Sequence, residues 1–359
     1  MNSRMSTRRI TLGGVAIGGG APVSVQTMCN TDTRDVEASV AQIERCMALG
    51  CDIVRLAVPD MQAAEALGEI KRRVPAVPLV ADIHFDWRLA IASAKAGVDG
   101  LRINPGNIGD IDRVRAVVAV ANERKLPIRV GVNGGSLEKS ILEKYGSATP
   151  EALVESAMGH VQILEDEGCE AIKISVKASD VPRTLAAYRL LAQKTQWPLH
   201  IGVTEAGTFL AGTVRSCVAL GQLLAEGIGD TVRVSLTDKP EQEVRVGVEL
   251  LRASALRAPG PHVTSCPTCG RTRVDVIGIA QKVDDALESF YRDHPAAPRP
   301  HVAVMGCVVN GPGEARGADV AIAGGEGKFA LFVHGVQQRI IDEACAVDVI
   351  LDLVSNWKE

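Results

Sequence analysis

The 359-residue chain is poor in aromatic side chains: five Phe, three Trp and three Tyr make up 3% of it. So few rings leave little on which successive bases could stack. A basic excess is also missing, since 39 Lys and Arg face 43 Asp and Glu for a formal net charge of −4. On both grounds nucleic acid is excluded as a partner. No segment approaches the roughly 18 consecutive apolar residues that a membrane-spanning helix requires. Arg8 and Arg9 precede a mildly apolar stretch in the manner of an export signal, but glycines interrupt that stretch and it runs into the strand-like VSVQTM. The chain is therefore expected in the cytoplasm. A disulfide framework is missing too. The nine cysteines are odd in number and scattered, and most lie in apolar runs such as IERCMALGC, where a free thiol acts as a small buried hydrophobe. With 46% hydrophobic and 23% charged residues, the composition is that of a soluble globular protein with a sizeable core.

What is present begins with a recurring phrase: LGCDIVRLAV from 49, AGVDGLRINP from 96, EGCEAIKISV from 167 and EGIGDTVRVSL from 226. In each, a glycine closes a helical pattern, a polar residue or two follows, and a β-branched run begins, as where a helix C-cap feeds a strand. VPLVADIHF, LPIRVGVNG and WPLHIGVTEA repeat the unit without the glycine, and VSVQTMC adds an eighth strand. The intervening segments carry apolar residues at helical spacing with acidic first turns. Near-continuously apolar strands, each followed by a helix, describe a parallel sheet buried on both faces. A (β/α)8 TIM barrel is the economical closure. Its rival, an open doubly wound sheet, would carry a GxGxxG turn after its first strand, and none is there. The proline and glycine break RAPGPHVTSCPTCG sets a boundary near 259, giving a barrel over 1–258 and a small α+β domain over 259–359. In that second domain VDVIGIA and HVAVMGCVV read as strands and IIDEACAVDVILDLV as a helix.

Barrel chemistry sits at the C-terminal ends of the strands. Arg55, Arg102 and Lys173 each fall five residues after the glycine of the recurring phrase, Arg233 falls six after Gly227, and Arg129 comes from the fifth strand. Alternation puts Arg102 on one face with Asn104, Arg129 with Asn133, Lys173 with Lys177, Arg233 with Ser235, and Asp82 with His84. Any one of these cations could be balanced by an internal salt bridge. The group exceeds the two carboxylates within the strand ends, Asp82 and Glu205, and uncompensated buried charge is costly. The surplus points to a polyanion such as a phosphate or diphosphate. The loops NPGNIGD and NGGS could add backbone N–H donors. Glu205 is a candidate proton donor, and His84 reads as either a site residue or a structural one.

Cys266 and Cys269 form a CPTC knuckle, and Cys307 opens the rigid turn of GCVVNGPGE. A fourth ligand would come from Glu314, Cys345 or a histidine. Cys345 lies at helical spacing among apolar residues and reads as core, and the histidines lack ligand-like spacing, which leaves Glu314. The donor set suits zinc or an iron–sulfur cluster, and spacing does not choose between them.

GGGAPVSVQTMCNTDT, DIVRLAVP, VADIHF, LRINPGNIG, RVGVNGGSL, KISVKASDV, GVTEAG, EGIGDTVRVSL, CPTCGR and GCVVNGPGEA together resemble the bacterial 4-hydroxy-3-methylbut-2-enyl diphosphate synthase family. The resemblance runs in order from about residue 8 to the C-terminal region. It implies an enzyme of the methylerythritol phosphate route to isoprenoids, which reductively opens 2-C-methyl-D-erythritol 2,4-cyclodiphosphate. It also implies a [4Fe–4S] cluster held by Cys266, Cys269, Cys307 and Glu314. The diphosphate would be held by Arg55, Arg102, Arg129, Asn133, Lys177 and Ser235, with Glu205 near the reacting carbons. Ferredoxin or flavodoxin would supply electrons, and the protein would work as a head-to-tail homodimer. A different class of reading is a barrel aldolase or lyase forming a Schiff base at Lys177, with the cysteines holding structural zinc.

Overall fold

A computed structural model describes residues 6–307, 313 and 315–358. The chain divides between Arg257 and Ala258 into two compact units. The first opens with an antiparallel hairpin of β1 (Ile10–Leu12) and β2 (Val15–Ile17). Leu12 pairs with Val15, so the loop is only Gly13–Gly14, and both glycines are left-handed at φ +53° and +88°. A two-residue loop with that geometry matches the right-handed twist of its strands. Ile10, Leu12 and Ile17 are buried in the main core. Gly13 lies against Pro78 and Asp99, at the N-terminal ends of barrel strands, so the hairpin closes the barrel floor.

Eight parallel strands follow: β3 (Ser24–Met28), β4 (Ile53–Ala57), β5 (Leu79–Asp82), β6 (Gly100–Ile103), β7 (Ile128–Asn133), β8 (Ile172–Lys177), β9 (His200–Ile201) and β10 (Thr231–Val232). Their order is β8-β7-β6-β5-β4-β3-β10-β9, and a parallel bridge between Ile174 and Leu199 joins the two ends. The sheet is a closed (β/α)8 barrel, as expected from the sequence. Its helices are α1 (Val36–Ala48), α2 (Met61–Arg73), α3 (Trp87–Ala96), α4 (Ile111–Glu123), α5 (Lys139–Tyr145), α6 (Pro150–Asp166), α7 (Val181–Ala192), α8 (Phe209–Ala225) and α9 (Pro240–Ala253). Asp35, Asp60, Asp86, Asp110, Thr149 and Asp180 cap six of them, each side chain accepting a backbone N–H of the first turn. Each cap contributes about 1 kcal/mol.

The recurring phrase has a structural counterpart at the barrel floor. Its glycines 50, 97, 168 and 227 all have left-handed backbones. In three copies the following aspartate accepts an N–H from the start of the preceding strand or its approach: Asp52 from Val25 at 2.7 Å, Asp99 from Leu79 at 2.8 Å and Asp230 from Leu199 at 2.9 Å. These aspartates fix strand register at the barrel floor.

The second unit is a five-stranded sheet in the order β11 (Val263–Ser265), β12 (Val302–Met305), β13 (Val320–Gly324), β14 (Lys328–Val333) and β15 (Val336–Asp342). The first three strands are parallel and the last two antiparallel. Helices α10 (Val276–Asp293) and α11 (Ala346–Ser355) pack together on one face over Val302, Val304, Val320 and Ile322. Two expectations fail here. VDVIGIA starts α10 rather than a strand, because Asp275 caps the helix by accepting from Gly278 N at 2.9 Å. Cys345 is exposed rather than core, because the first part of its apolar run belongs to β15 and the helix begins only at Ala346.

Candidate active site

Strand register builds the barrel interior. Asp82, Arg102, Arg129 and Lys173 are aligned partners across β5, β6, β7 and β8. One layer nearer the C-terminal ends, Gly131 aligns with Ser175, and above that Asn133 aligns with Lys177. In-register residues of parallel strands share a face. That this face is the inner one follows from the charges, since Lys177 on β8 senses Arg55 on β4 and Arg233 just past β10.

Arg102 bridges two strands, with Nη1 3.2 Å from Asp82 Oδ1 and Nη2 donating to Gly131 O at 2.8 Å. Arg55 approaches the same carboxylate at 3.8 Å and directs Nη2 to Met28 Sδ at 2.9 Å. Burial pushes the Asp82 pKa up, but Arg55, His84 and Arg102 outweigh it and hold the carboxyl far below the usual range. Arg129 is buried, and Nη1 donates to Ser175 Oγ at 2.5 Å. Among the described residues its Nε and Nη2 have no hydrogen-bond partner, nor does the Nζ of Lys173, which is 1% exposed. Lys177 Nζ lies 3.3 Å from Nε2 of buried His200. Burial, reinforced by neighbouring cations, pulls Arg129 and Lys177 well below their ordinary pKa values and Lys173 down to about 7.

Gly131 is what lets two guanidiniums sit side by side. A Cβ there would lie 2.9 Å from both Arg102 Nε and Arg129 Nη1. Asn104 completes the layer, its Oδ1 accepting from Gly131 N at 3.0 Å. Glu243, in the first turn of α9, accepts from Arg233 Nη2 at 3.2 Å, Thr27 Oγ1 at 2.9 Å and Leu236 N at 2.9 Å. The sequence reading missed Glu243 because it lies in the first turn of the helix after the strand rather than at the strand end itself. Its signal was the doubly acidic first turn PEQE. His200 was equally missed, although WPLHIG puts it on a strand among apolar residues.

The remaining expected residues are placed differently. Ser235 is half-buried beyond β10. Glu205 is exposed and has a left-handed backbone at φ +52°. His84 reaches the mouth, its Nδ1 3.2 Å from Arg102 Nη1. Six cations thus gather with Asp82 and Glu243 as their paired carboxylates, leaving several charged N–H groups without acceptors among the described residues. Such a site can bind an anion of two or more charges, because burial makes each Coulomb attraction stronger than it would be in water.

In the second unit, parallel register aligns Ser265 with Val304, so Cys266 and Cys307 follow the C-terminal ends of adjacent strands. Cys266 packs against the apolar cluster that includes Ala303, Met305 and Ala321, on the sheet face away from the helices. Cys269 is exposed, its N–H donating to Thr272 Oγ1 at 3.1 Å. Glu314 lies outside the described residues. Among the described residues no group of three His, Cys, Asp or Glu side chains is assembled as a metal site. No helix among them is long and apolar enough to cross a membrane.

The GcpE TIM-barrel domain model matches residues 7–248 and the GcpE protein C-terminal domain model matches 262–356. The chain belongs to the GcpE family. Among its relatives, the 4-hydroxy-3-methylbut-2-en-1-yl diphosphate synthase (flavodoxin) of Geobacter sulfurreducens is 58% identical over 97% of both chains. The protein of that name from Ruminiclostridium cellulolyticum is 52% identical over 99% of this chain and 98% of its own. Membership makes this chain an enzyme. Among solved structures, a type I 3-dehydroquinate dehydratase from Clostridium difficile superposes with a TM-score of 0.51 at 12% identity, covering 70% of this chain and all of its own. That likeness concerns the barrel fold alone.

Proposed function

We propose that this GcpE enzyme makes 4-hydroxy-3-methylbut-2-enyl diphosphate for isoprenoid biosynthesis by reductive ring opening of 2-C-methyl-D-erythritol 2,4-cyclodiphosphate. The observation that carries the reading is the row of buried, incompletely paired cations across the barrel interior. It suits the diphosphate in the names of relatives that align over nearly the whole chain. Arg55, Arg102, Arg129 and Lys177 bind the phosphoryl oxygens, with Asn133 and Ser235 adding hydrogen bonds at the rim. Two electrons enter, the carbon–oxygen bond to one phosphate opens, and a hydroxyl leaves as water after taking one proton. Glu205, exposed beyond β9, delivers that proton.

Cys266, Cys269, Cys307 and Glu314 would hold a [4Fe–4S] cluster. Two of the thiols follow neighbouring strand ends and the third lies three residues along the same turn, a soft donor set that fits iron–sulfur chemistry. When bound, the cluster supplies electrons one at a time, received from a flavodoxin or ferredoxin. The enzyme acts in the cytoplasm as a head-to-tail homodimer.

Anaerobic purification with iron and sulfide determination, followed by turnover of the cyclic diphosphate with a reduced one-electron donor, tests the reading. Expected are about four irons and four sulfides per chain, a visible charge-transfer band and product formation. The depressed pKa of Lys177 favours one rival, a Schiff-base lyase. A colourless zinc protein that borohydride links to a carbonyl substrate at Lys177 would establish that rival and remove the reductive one.

A further inference from the structure

Helix α6 packs behind β7 and β8 and carries a buried histidine not used by the chemistry above. His160 is 5% exposed. Its Nδ1 accepts the backbone N–H of Gly106 at 3.3 Å, and its Nε2 lies 2.7 Å from Glu138 Oε1. The second oxygen of Glu138 accepts from Ser156 Oγ, also on α6, at 2.7 Å. Gly106 belongs to the loop after β6, and Glu138 to the loop after β7. A ring nitrogen that accepts an amide proton carries none itself, so the neutral imidazole keeps its hydrogen on Nε2 and donates it to Glu138. Burial favours the neutral ring, against the opposing pull of Glu138. One ring therefore ties both loops to a single helix.

The contact is close enough to dictate sequence. A Cβ on Gly106 would stand 2.7 Å from His160 Cε1, so a larger residue there must displace either the loop or the ring. Both loops start at the mouth. The first follows Asn104, which accepts from Gly131 N; the second follows Asn133, the in-register partner of Lys177.

We propose that His160 is a positioning residue for the anion site, holding the loops 105–107 and 134–138 so that Asn104, Asn133 and the loop N–H groups face the ligand. The inference rests on reading the barrel mouth as a diphosphate site. It accounts for two glycine-bearing loops of unequal sequence being held by one side chain, and it places Glu138 and Ser156 in the same support.

The test uses the full-length, anaerobically purified enzyme, with inorganic pyrophosphate as the calorimetric probe and the cyclic diphosphate as substrate. Expected is pyrophosphate binding by the unaltered enzyme, weakened on the order of tenfold in Gly106→Ala, with KM raised more than kcat is lowered and circular dichroism unchanged. In a His160→Ala background the ring that the added methyl would strike is gone, so Gly106→Ala should add no further loss. Should His160→Ala prove insoluble, His160→Asn, which keeps an acceptor toward Gly106 and loses the donor to Glu138, decides by the same loss of affinity. Folded variants that bind pyrophosphate like the unaltered enzyme would overturn the role of His160, as would fully additive losses in the double variant. Absence of pyrophosphate binding by the unaltered enzyme would overturn the anion reading of the mouth, and this inference with it, before any variant is made.

Discussion

Arg102 Nη1 lies 3.2 Å from Asp82 Oδ1 inside the barrel, with both side chains buried. Asp82 is the only carboxylate in a row whose other members are Arg102, Arg129 and Lys173, so its loss leaves buried charge without compensation. Asp82→Asn should therefore lower stability by about 3 kcal/mol in urea unfolding at pH 7. The pH dependence has a defined sign. The folded pKa of Asp82 is depressed, so its contribution is complete above the unfolded value near pH 3.9 and fades as pH falls below it. The difference between native enzyme and variant should be flat from pH 8 to 5 and narrow below about pH 4. A flat difference down to pH 3 would show that the arginines do not hold Asp82 ionised.

Lys173 has the opposite sign. Burial, with Arg129 adding to it, lowers its pKa to about 7, while the unfolded chain keeps a lysine near 10.4. Between these values the unfolded state binds more protons, so this residue's penalty is full below pH 7 and vanishes as pH rises toward 10. Lys173→Met, of similar volume and without charge, should stabilise the fold by about 1–4 kcal/mol at pH 6.5 and by much less at pH 9.5. Chemical denaturation at the two pH values measures this, and an equal gain at both would mean that Lys173 titrates normally.

If Lys177 binds the diphosphate as proposed, ligand binding becomes a proton-linked event. Burial and the cations Arg129, Arg233 and Arg55 pull its pKa well below the ordinary range, and a bound diphosphate would reverse that field. Pyrophosphate binding at alkaline pH should then raise the protonation of Lys177, seen as a calorimetric heat that varies with buffer ionisation enthalpy. Lys177→Met should bind more weakly and lose the part of the uptake owed to Lys177. Heats independent of buffer in the unaltered enzyme would contradict this linkage.

Much of this was legible in the sequence, because the barrel repeats itself. A glycine and a β-branched run recur at four of the turns from helix to strand, three of them with an aspartate between, and alternation then indicates which side chains share a face. Spacing after the glycine grouped Arg55, Arg102 and Lys173; the strands align Arg102 and Lys173 through Arg129, whereas Arg55 pairs with Val80, two residues before the row. Glu243 could not be grouped by spacing, since its helix reaches the strand end only in three dimensions. The hairpin at the barrel floor escaped notice because its apolar strands are three residues each and resemble the start of an export signal. In the smaller unit, a capping aspartate inside a β-branched run turned an apparent strand into a helix. Local capping there outweighed composition.

Glu205 combines a strained backbone with the proposed acid role, and substitutions can separate the two. Its φ of +52° lies in the left-handed region, where a side chain costs about 1–2 kcal/mol. Side chains held there tend to be retained for function. Glu205→Gly should relieve the strain and raise stability by about 1 kcal/mol while abolishing proton delivery. Glu205→Gln keeps the backbone requirement and the shape, so it should leave the melting temperature unchanged and still lower kcat by a factor of about 100 or more, with pyrophosphate affinity intact. Turnover near normal in Glu205→Gln would remove the acid role and leave the strain unexplained. Turnover lost only in the glycine variant would assign Glu205 to shaping the loop.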